Sequence, residues 1–209
     1  MASQTPNAPK LFTHHWTATL PSHPNLVLHH ATPSSVPTRL AIIRNPANRT
    51  HINSQPTLWD DSTAATWSAA QQARFDKSTR DFDNLDVLVE VDGTVVGVGA
   101  IATMEGELVE GERLLNVGVM LGEGVRGKGL GKAVTGGLVE IAWMMGGRAG
   151  VRTMRANQGM RGVMRGLGVE ENVEDVMMEG RGLVAEIVYV VEKEKWDGLG
   201  VCLEFGEEV

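Results

Sequence analysis

The sequence has 209 residues and a net charge of −7, with 42% hydrophobic and 22% charged residues. This length predicts one globular domain with a sizeable core, and the composition is ordinary for such a domain. The acidic balance argues against nucleic-acid binding through a broad basic surface. The single cysteine excludes an internal disulfide. No signal peptide or membrane-spanning segment is recognisable, so we expect a cytoplasmic protein with no membrane partner.

Charge is distributed unevenly along the chain. Residues 126–165 contain eight basic residues and one acidic residue, Glu140, whereas the remainder contains 11 basic and 25 acidic residues. A basic segment in an acidic protein favours a small polyanionic ligand over DNA, although the same side chains could lie solvated on helix faces. The basic residues are Arg126, Lys128, Lys132, Arg148, Arg152, Arg155, Arg161 and Arg165.

The N-terminal third is expected to mix a flexible arm with short elements. Residues 1–25 are rich in proline, serine, threonine and histidine, which is typical of a flexible arm. Residues 26–30 are predicted to form a strand and residues 38–44 a short helix. Residues 60–62 offer N-caps for a helix that extends to about Lys77.

The middle of the chain has the pattern of a strand meander. Residues 85–91 and 94–102 are predicted strands, and Asp92-Gly93 between them is a strong hairpin signal. An acidic turn is predicted at residues 105–112, and the next strand at residues 114–121. Antiparallel neighbours are therefore expected here.

A glycine-rich loop and a helix at residues 131–145, ended by Gly146-Gly147, follow this strand. Hairpins followed by crossovers predict an α+β class with a mixed, mostly antiparallel sheet flanked by helices. The main domain is placed at residues 26–192, and residues 193–209 form a tail without an assigned element. The remaining predicted elements are a strand at 150–154, a helix at 157–165 and strands at 173–178 and 183–191.

The glycine-rich loop is predicted to bind a pyrophosphate. A helix N-terminus exposes unpaired N–H groups, and glycines let the backbone curl around a phosphate. The P-loop pattern fails because Arg126 and Ala133 stand where glycine and a hydroxyl are needed, and the dinucleotide pattern fails at Val134. Nucleotide hydrolysis is therefore not expected. The loop consists of Arg126, Gly127, Lys128, Gly129, Leu130 and Gly131, followed by Lys132.

Residues 126–131 resemble the [QR]-x-x-G-x-[GA] signature of the Gcn5-related N-acetyltransferases, the GNAT family. Residues 157–169 resemble the family's N-x-x-[AS]-x-x-[LV]-Y-x-x-x-G-[FV] segment, and residues 26–32 are similar to the opening of the branch with ribosomal-protein N-terminal acetyltransferases. The resemblance implies a V-shaped cofactor cleft and acetyl-CoA as co-substrate, with no metal. The matching residues of the second segment are Asn157, Val163, Leu167, Gly168 and Val169.

The resemblance also implies roles for individual residues. The loop backbone would bind the CoA pyrophosphate, and a backbone N–H near Val117 to Val119 would polarise the thioester carbonyl. Asn157 would lie near the pantetheine arm, or act as a helix N-cap. Two positions depart from the family: Met164 replaces a tyrosine acid, and Asn116 replaces a glutamate base.

Candidate acids and bases therefore come from other positions. Glu110 and Glu112 share the strand alternation of Asn116, although both could be solvated in a turn. Tyr189, the only tyrosine, is a candidate acid or a core residue. Less direct candidates are His29 and His30 as bases, and Trp59 and Trp67 as residues of the acceptor pocket.

These features predict an acetyl-CoA-dependent N-acetyltransferase. Its acceptor would be a primary amine of a small molecule or a peptide N-terminus, which attacks the thioester directly. The alternative is a GNAT-fold module that binds CoA with little catalysis, which Met164 and Asn116 favour. The oligomeric state stays open, with a homodimer as one option.

Overall fold

The computed structural model describes residues 8–48, 59–109, 112–178 and 182–209. Five α-helices lie in these ranges, and none of them is long and apolar enough to cross a membrane. The helices are α1 (Lys10–Thr13), α2 (Val36–Arg44), α3 (Asp61–Asp81), α4 (Leu130–Met144) and α5 (Gln158–Gly166).

The same ranges contain nine strands, which form one sheet. They are β1 (His14–Leu20), β2 (His23–His30), β3 (Asn84–Val91), β4 (Thr94–Val109), β5 (Glu112–Leu121), β6 (Arg148–Met154), β7 (Asn172–Met178), β8 (Gly182–Val190) and β9 (Cys202–Glu208). The order is β7-β8-β6-β5-β4-β3-β2-β1-β9. Only β5 and β6 pair in parallel. The predicted class, a mostly antiparallel mixed sheet flanked by helices, is confirmed.

Local signals account for two of the predicted boundaries. Asp92 and Gly93 have φ angles of 50° and 75°, as the two central positions of a type I′ hairpin require. The Asp60 carboxylate accepts a hydrogen bond of 2.7 Å from the backbone N–H of Thr63 and caps α3. Both features depend only on residues within three positions of each other, so the sequence alone predicts them.

The prediction of a flexible arm is wrong for residues 10–20. This stretch forms α1 and β1, and β1 pairs with both β2 and β9. Trp16, Ala18 and Leu20 alternate with polar residues and are almost fully buried. Strand alternation places these three side chains on one face, so a polar average composition conceals a core strand. Residues 1–7 lie outside the described residues.

The C-terminal tail also belongs to the sheet. Strand β9 pairs with β1, so the sheet continues past the predicted boundary at residue 192. The segment that leads to β9 crosses α4 and is held there by Glu140. The Glu140 carboxylate accepts hydrogen bonds from Trp196 Nε1 (3.0 Å), from the backbone N–H of Leu199 and from that of Val201 (2.9 Å).

The predicted acidic turn at residues 105–112 is replaced by a longer hairpin. Strand β4 continues to Val109, and β5 begins at Glu112. The register between β4 and β5 shifts between Thr103 and Leu108, which marks an irregularity in β4. Continued pairing of Val109 with Glu112 satisfies backbone groups that a turn would leave exposed. Glu110, a candidate base, lies outside the described residues.

The helices pack on opposite faces of the sheet. Helix α4 lies close to β4, because a Cβ added to Gly99 would come within 2.7 Å of Leu138 Cδ1. A separate hydrophobic cluster joins Ile43 of α2 and Trp59 to Met120 of β5. Along β5, the side chain of Met120 points to the face opposite the one that packs against α4. Helix α2 and Trp59 therefore cover the face of the sheet that α4 does not. The central strands are therefore enclosed from both sides.

His30 should make stability depend on pH. Its ring stacks between Trp16 and Phe75, and Nδ1 lies 2.8 Å from the His14 carbonyl oxygen. Burial lowers the pKa of His30 below its usual 6.5, despite that hydrogen bond. The folded state thus binds a proton less readily than the unfolded chain. We expect the free energy of unfolding to fall as the pH drops through about 6.5.

Chemical denaturation between about pH 8 and about pH 5 tests this expectation. His30→Phe keeps an aromatic ring in the stack but cannot titrate, so its stability should change less over this range. His23→Gln, in the same strand, is the matched control and should retain the wild-type pH dependence. An unchanged pH dependence in His30→Phe would contradict the assignment.

Candidate active site

Strands β5 and β6 separate partway along their length. Their parallel pairing runs from Leu114 with Arg148 to Asn116 with Gly150. Beyond this point β5 continues beside β4, and β6 continues beside β8. The described residues contain no further pairs between β5 and β6, so a V-shaped gap opens after Asn116. The backbone of Val117 and Val119 follows directly along one side of this gap.

Asn116 spans the point where the two strands part, which we call the fork. Its Oδ1 accepts a hydrogen bond of 2.9 Å from the backbone N–H of Arg152, two residues beyond the last backbone pair. The side chain therefore makes one more connection between β5 and β6. Nδ2 donates to no oxygen among the described residues. An amide donor is thus available at the apex of the gap.

The glycine-rich loop follows β5 and ends at α4. Gly127 and Gly129 have φ angles of 74° and 82°, and Gly129 caps α4 without a side chain. No described atom lies within 4 Å of a Cβ placed on either glycine. The N–H groups of Gly127 to Gly131 donate to no acceptor among the described residues. Such a row of free donors at a helix N-terminus is suited to an anion.

The basic residues of the loop are used in different ways. Arg126 donates to the carbonyl oxygens of Leu121 and Ala47 and to Asn48 Oδ1. Lys128 Nζ donates to the Gly124 carbonyl oxygen at 3.0 Å. Arg126 is therefore held by the protein itself, whereas the resemblance implied a place for it in the cofactor site.

Two further cations lie where α4 and α5 meet. A Cβ on Gly131 would lie 3.0 Å from Val163 Cγ2, and one on Gly166 would lie 3.8 Å from Lys132 Cδ. Lys132 and Arg165 are exposed, and no described carboxylate pairs with either. Lys132 directly follows the loop, and Arg165 belongs to the helix that packs against it there.

Helix α5 is fixed by caps and by its buried face. The Asn157 side chain accepts from the Met160 N–H at 3.1 Å and donates to Thr153 Oγ1 at 2.9 Å. This arrangement is the N-cap alternative of the sequence analysis. Met164, at the position where the family often has tyrosine, is fully buried in the core.

Tyr189 lies in the core with its hydroxyl group bound. It donates a hydrogen bond of 2.9 Å to Glu171 Oε1, and Glu171 also accepts two bonds from Arg161 of α5. Burial and the Glu171 contact raise the pKa of Tyr189 to about 12. Strand β6 lies between Tyr189 and β5, because Tyr189 pairs with Val151. The structure therefore does not bring Tyr189 to Asn116.

The other candidate bases also lie away from the fork. Glu112 is exposed at the first residue of β5, four residues or about 13 Å along the strand from Asn116. His29 and His30 lie on β2, three strands from β5. His29 Nε2 faces Glu90 Oε2 at 3.1 Å.

Trp59 and Trp67 contact each other, with ring centroids 6.0 Å apart. Trp59 is buried beside Met120 of β5, so these rings lie next to the central strand but inside a packed cluster.

Two shallow depressions elsewhere on the described surface, one beside Trp143 and Trp196 and one beside Trp16, do not include the fork or the loop.

Two residues at the site, Glu171 and Asn48, could not be recognised from the sequence. Glu171 follows the α5 motif, and Asn48 belongs to a proline-containing turn that is far from the loop in sequence. Each acquires its role through a partner on another element, Tyr189 and Arg126 respectively. No local sequence signal marks either residue.

The model of the acetyltransferase (GNAT) domain matches residues 25–170. No curated protein matches. Solved structures of similar fold include Mycobacterium smegmatis RimJ in complex with CoA-disulfide, at 15% identity and a TM-score of 0.67, covering 88% of this chain and 89% of that one.

Two further similar structures come from other bacteria. One is a Salmonella typhimurium acetyl transferase that modifies the N-terminal serine of the 50S ribosomal subunit protein L7/L12, at 16% identity and a TM-score of 0.64, covering 82% of this chain and 97% of that one. The other is a Brucella melitensis ribosomal-protein-alanine N-acetyltransferase, at 19% identity and a TM-score of 0.60, covering 78% of this chain and 98% of that one.

Proposed function

Because the chain belongs to the acetyltransferase (GNAT) domain family, we propose that it transfers an acetyl group from acetyl-CoA to a primary amine. The observation that carries this proposal is the row of free N–H donors from Gly127 to Gly131 beside the open end of the β5–β6 gap. A pyrophosphate would satisfy these donors, and the gap would receive the extended arm that follows it.

The residues present fit acetyl-CoA. The backbone of residues 127–131 would hold the pyrophosphate, and the positive φ angles of Gly127 and Gly129 keep the approach free of side chains. Lys132 directly follows the loop and Arg165 lies on the helix that packs against it, so both would add positive charge for further phosphate groups. The backbone of β5 along the gap, at Val117 and Val119, would contact the arm.

The reaction would take place at the fork. Bound acetyl-CoA would supply a thioester carbonyl, and attack by a neutral amine would form the C–N bond, break the C–S bond and release CoA thiol with the amine proton. Asn116 would act there through Nδ2, which would donate a hydrogen bond to the carbonyl oxygen as charge develops on it. Its Oδ1 contact with Arg152 would hold the amide in position.

For the acceptor, we favour a peptide N-terminus. The similar folds include an acetyl transferase that modifies the N-terminal serine of a ribosomal protein and a ribosomal-protein-alanine N-acetyltransferase. Asn116 lies on the same face of β5 as Met120, beside which α2 and Trp59 pack, so an acceptor would reach the fork past the edge of this cluster. A small-molecule amine is the other option.

Incubation with acetyl-CoA and a panel of amines and short peptides tests the proposal. We expect CoA thiol release that depends on the acceptor, and a product heavier by one acetyl group in mass spectrometry. Peptides with free N-termini should react and their N-blocked counterparts should not. Reaction of small amines alone would contradict the preference for peptides.

The alternative is a GNAT-fold module that binds CoA with little catalysis. It is favoured by the buried Met164 at the tyrosine position and by the engagement of the Tyr189 hydroxyl with Glu171. Calorimetric binding of CoA without acceptor-dependent thiol release would support this alternative. No CoA binding would contradict both functions.

Asn116→Ala should lower kcat by about 10- to 100-fold, because the variant loses both the fork contact and the Nδ2 donor. Asn116→Asp retains an acceptor for the Arg152 N–H but has no donor, and its negative charge would oppose charge on the carbonyl oxygen. Steady-state kinetics with saturating acetyl-CoA measures both variants.

The aspartate variant separates two roles for this position. If Asn116 acts as a donor, Asn116→Asp should be as slow as Asn116→Ala. If the position needs a base, the aspartate should restore or exceed wild-type kcat. The KM for acetyl-CoA should change little in either variant, because neither change touches the loop.

A further inference from the structure

Arg126 connects two parts of the molecule that lie far apart in sequence. Its Nε donates to the Leu121 carbonyl oxygen at 2.9 Å, at the end of β5. Its Nη1 donates to the Ala47 carbonyl oxygen at 3.1 Å, and its Nη2 to Asn48 Oδ1 at 2.6 Å. All three guanidinium nitrogens are thus engaged with protein oxygens, two of them in the turn after α2.

Asn48 extends this connection into α2. It is almost fully buried, and its Nδ2 donates a hydrogen bond of 2.9 Å to the Ile42 carbonyl oxygen in the last turn of the helix. The chain of contacts therefore runs from the loop through Arg126 and Asn48 to α2. Ile43, the next residue of α2, packs beside Trp59 and Met120.

The planar guanidinium explains why arginine suits this position. It presents donors in a fixed fork, so one side chain can hold a strand end and a remote turn in a single geometry. A lysine carries its donors on a single nitrogen, so it lacks this fixed fork. An arginine that bound a ligand anion would instead need free guanidinium N–H groups directed toward that anion.

We propose that Arg126 is a positioning residue that couples binding at the cofactor loop to the order of the turn after α2, on the acceptor side of β5. The inference rests on the proposed function, because it takes CoA as the ligand of the loop. Binding at residues 127–131 would restrain Arg126, and Arg126 would restrain Ala47 and Asn48. By linkage, loss of the contact to Asn48 weakens CoA binding although Asn48 touches no part of the loop backbone.

A double-mutant cycle on the CoA dissociation constant, measured by calorimetry, tests the coupling. Asn48→Ala should weaken CoA binding by about 5- to 20-fold. Arg126→Met should weaken it by at least as large a factor, and the double variant should be no weaker than Arg126→Met, because both changes break the same Arg126–Asn48 contact. Asn25→Ala, a matched asparagine in a distant hydrogen bond, should bind CoA as the wild type does.

Hydrogen exchange gives a second readout that needs no catalysis. The N–H groups of Ala47 and Asn48 are bonded to Asn45 in the same turn. Saturating CoA should slow their exchange in the wild type and leave it unchanged in Arg126→Met. Arg126→Lys should behave like Arg126→Met if geometry matters, and like the wild type if only charge matters.

The variant Asn48→Asp distinguishes a loss of coupling in Asn48→Ala from a folding defect in that variant. The aspartate keeps an oxygen for Arg126 but sets its second oxygen against the Ile42 carbonyl, so this variant should lose stability while CoA binding stays near wild type. The coupling is overturned if Asn48→Ala binds CoA normally, or if the two single effects multiply in the double variant. If the wild type binds no CoA, the proposed function fails instead.

Discussion

Replacing Gly129 with valine should abolish measurable CoA binding, with a loss of about 30-fold or more. Gly129 has a φ of 82°, a conformation that a β-branched residue adopts only with considerable strain. A Cβ at this position points into space free of described atoms at the start of α4. The valine side chain would therefore occupy the space that we assign to the pyrophosphate.

Two comparisons separate the effect on the site from an effect on folding. Gly129→Ala adds a single methyl group at the same φ, so it should weaken binding less than valine does. Gly124→Ala changes a glycine of the preceding turn that has neither a positive φ nor a close neighbour, so binding should stay at the wild-type level.

Calorimetry with CoA measures affinity, and thermal unfolding shows whether each variant is folded. Wild-type affinity in a folded Gly129→Val protein would contradict the assignment of the loop as the pyrophosphate site. Loss of binding in Gly124→Ala would show that the loop is sensitive to any added side chain, and it would remove the support for a specific role of Gly129.

Replacing Glu140 with alanine should lower the free energy of unfolding by about 3 kcal/mol, since three hydrogen bonds to one carboxylate are lost. For a chain of this size, a decrease of that amount lowers Tm by about 6 to 12 °C. The loss should be concentrated in the C-terminal segment, because Trp196, Leu199 and Val201 all lie there. Limited proteolysis should then cleave this segment first.

The companion variants refine this expectation. Glu140→Gln keeps one acceptor oxygen, so its stability should fall between those of the wild type and the alanine variant. Glu194→Ala changes an exposed glutamate of the same segment and should alter stability by less than about 0.5 kcal/mol. A wild-type Tm for Glu140→Ala would mean that β9 and its pairing with β1 hold the segment without the carboxylate.

Several elements follow from residues close together in sequence. Asp60 caps α3 through Thr63, and Asp92-Gly93 closes its hairpin through its own φ angles. The glycine-rich loop belongs to this group as well. Its free N–H groups and positive φ angles depend on Gly127, Gly129 and the helix that starts beside them. Local patterns therefore predicted the fold class and the position of the glycine-rich loop before α4.

Two regions show how composition can conceal an element. Residues 14–20 have only three buried apolar side chains among polar ones, yet they form a strand between β2 and β9. The stability of such a strand comes from its neighbours on both sides. Because β9 comes from the far end of the chain, no window of sequence around β1 contains the partner that orders it.

The roles of single side chains at the site depended on contacts between distant elements. Asn116 bridges to Arg152 on β6, and Arg126 bonds residues 79 and 78 positions earlier in the chain. A motif gives the residue type at a position, but a side chain's partners depend on which elements pack beside it. For this reason the amino-acid pattern was enough to locate the glycine-rich loop with its unpaired N–H donors. The partners of Arg126, Asn116 and Tyr189 emerged only once the strands and helices had been brought together.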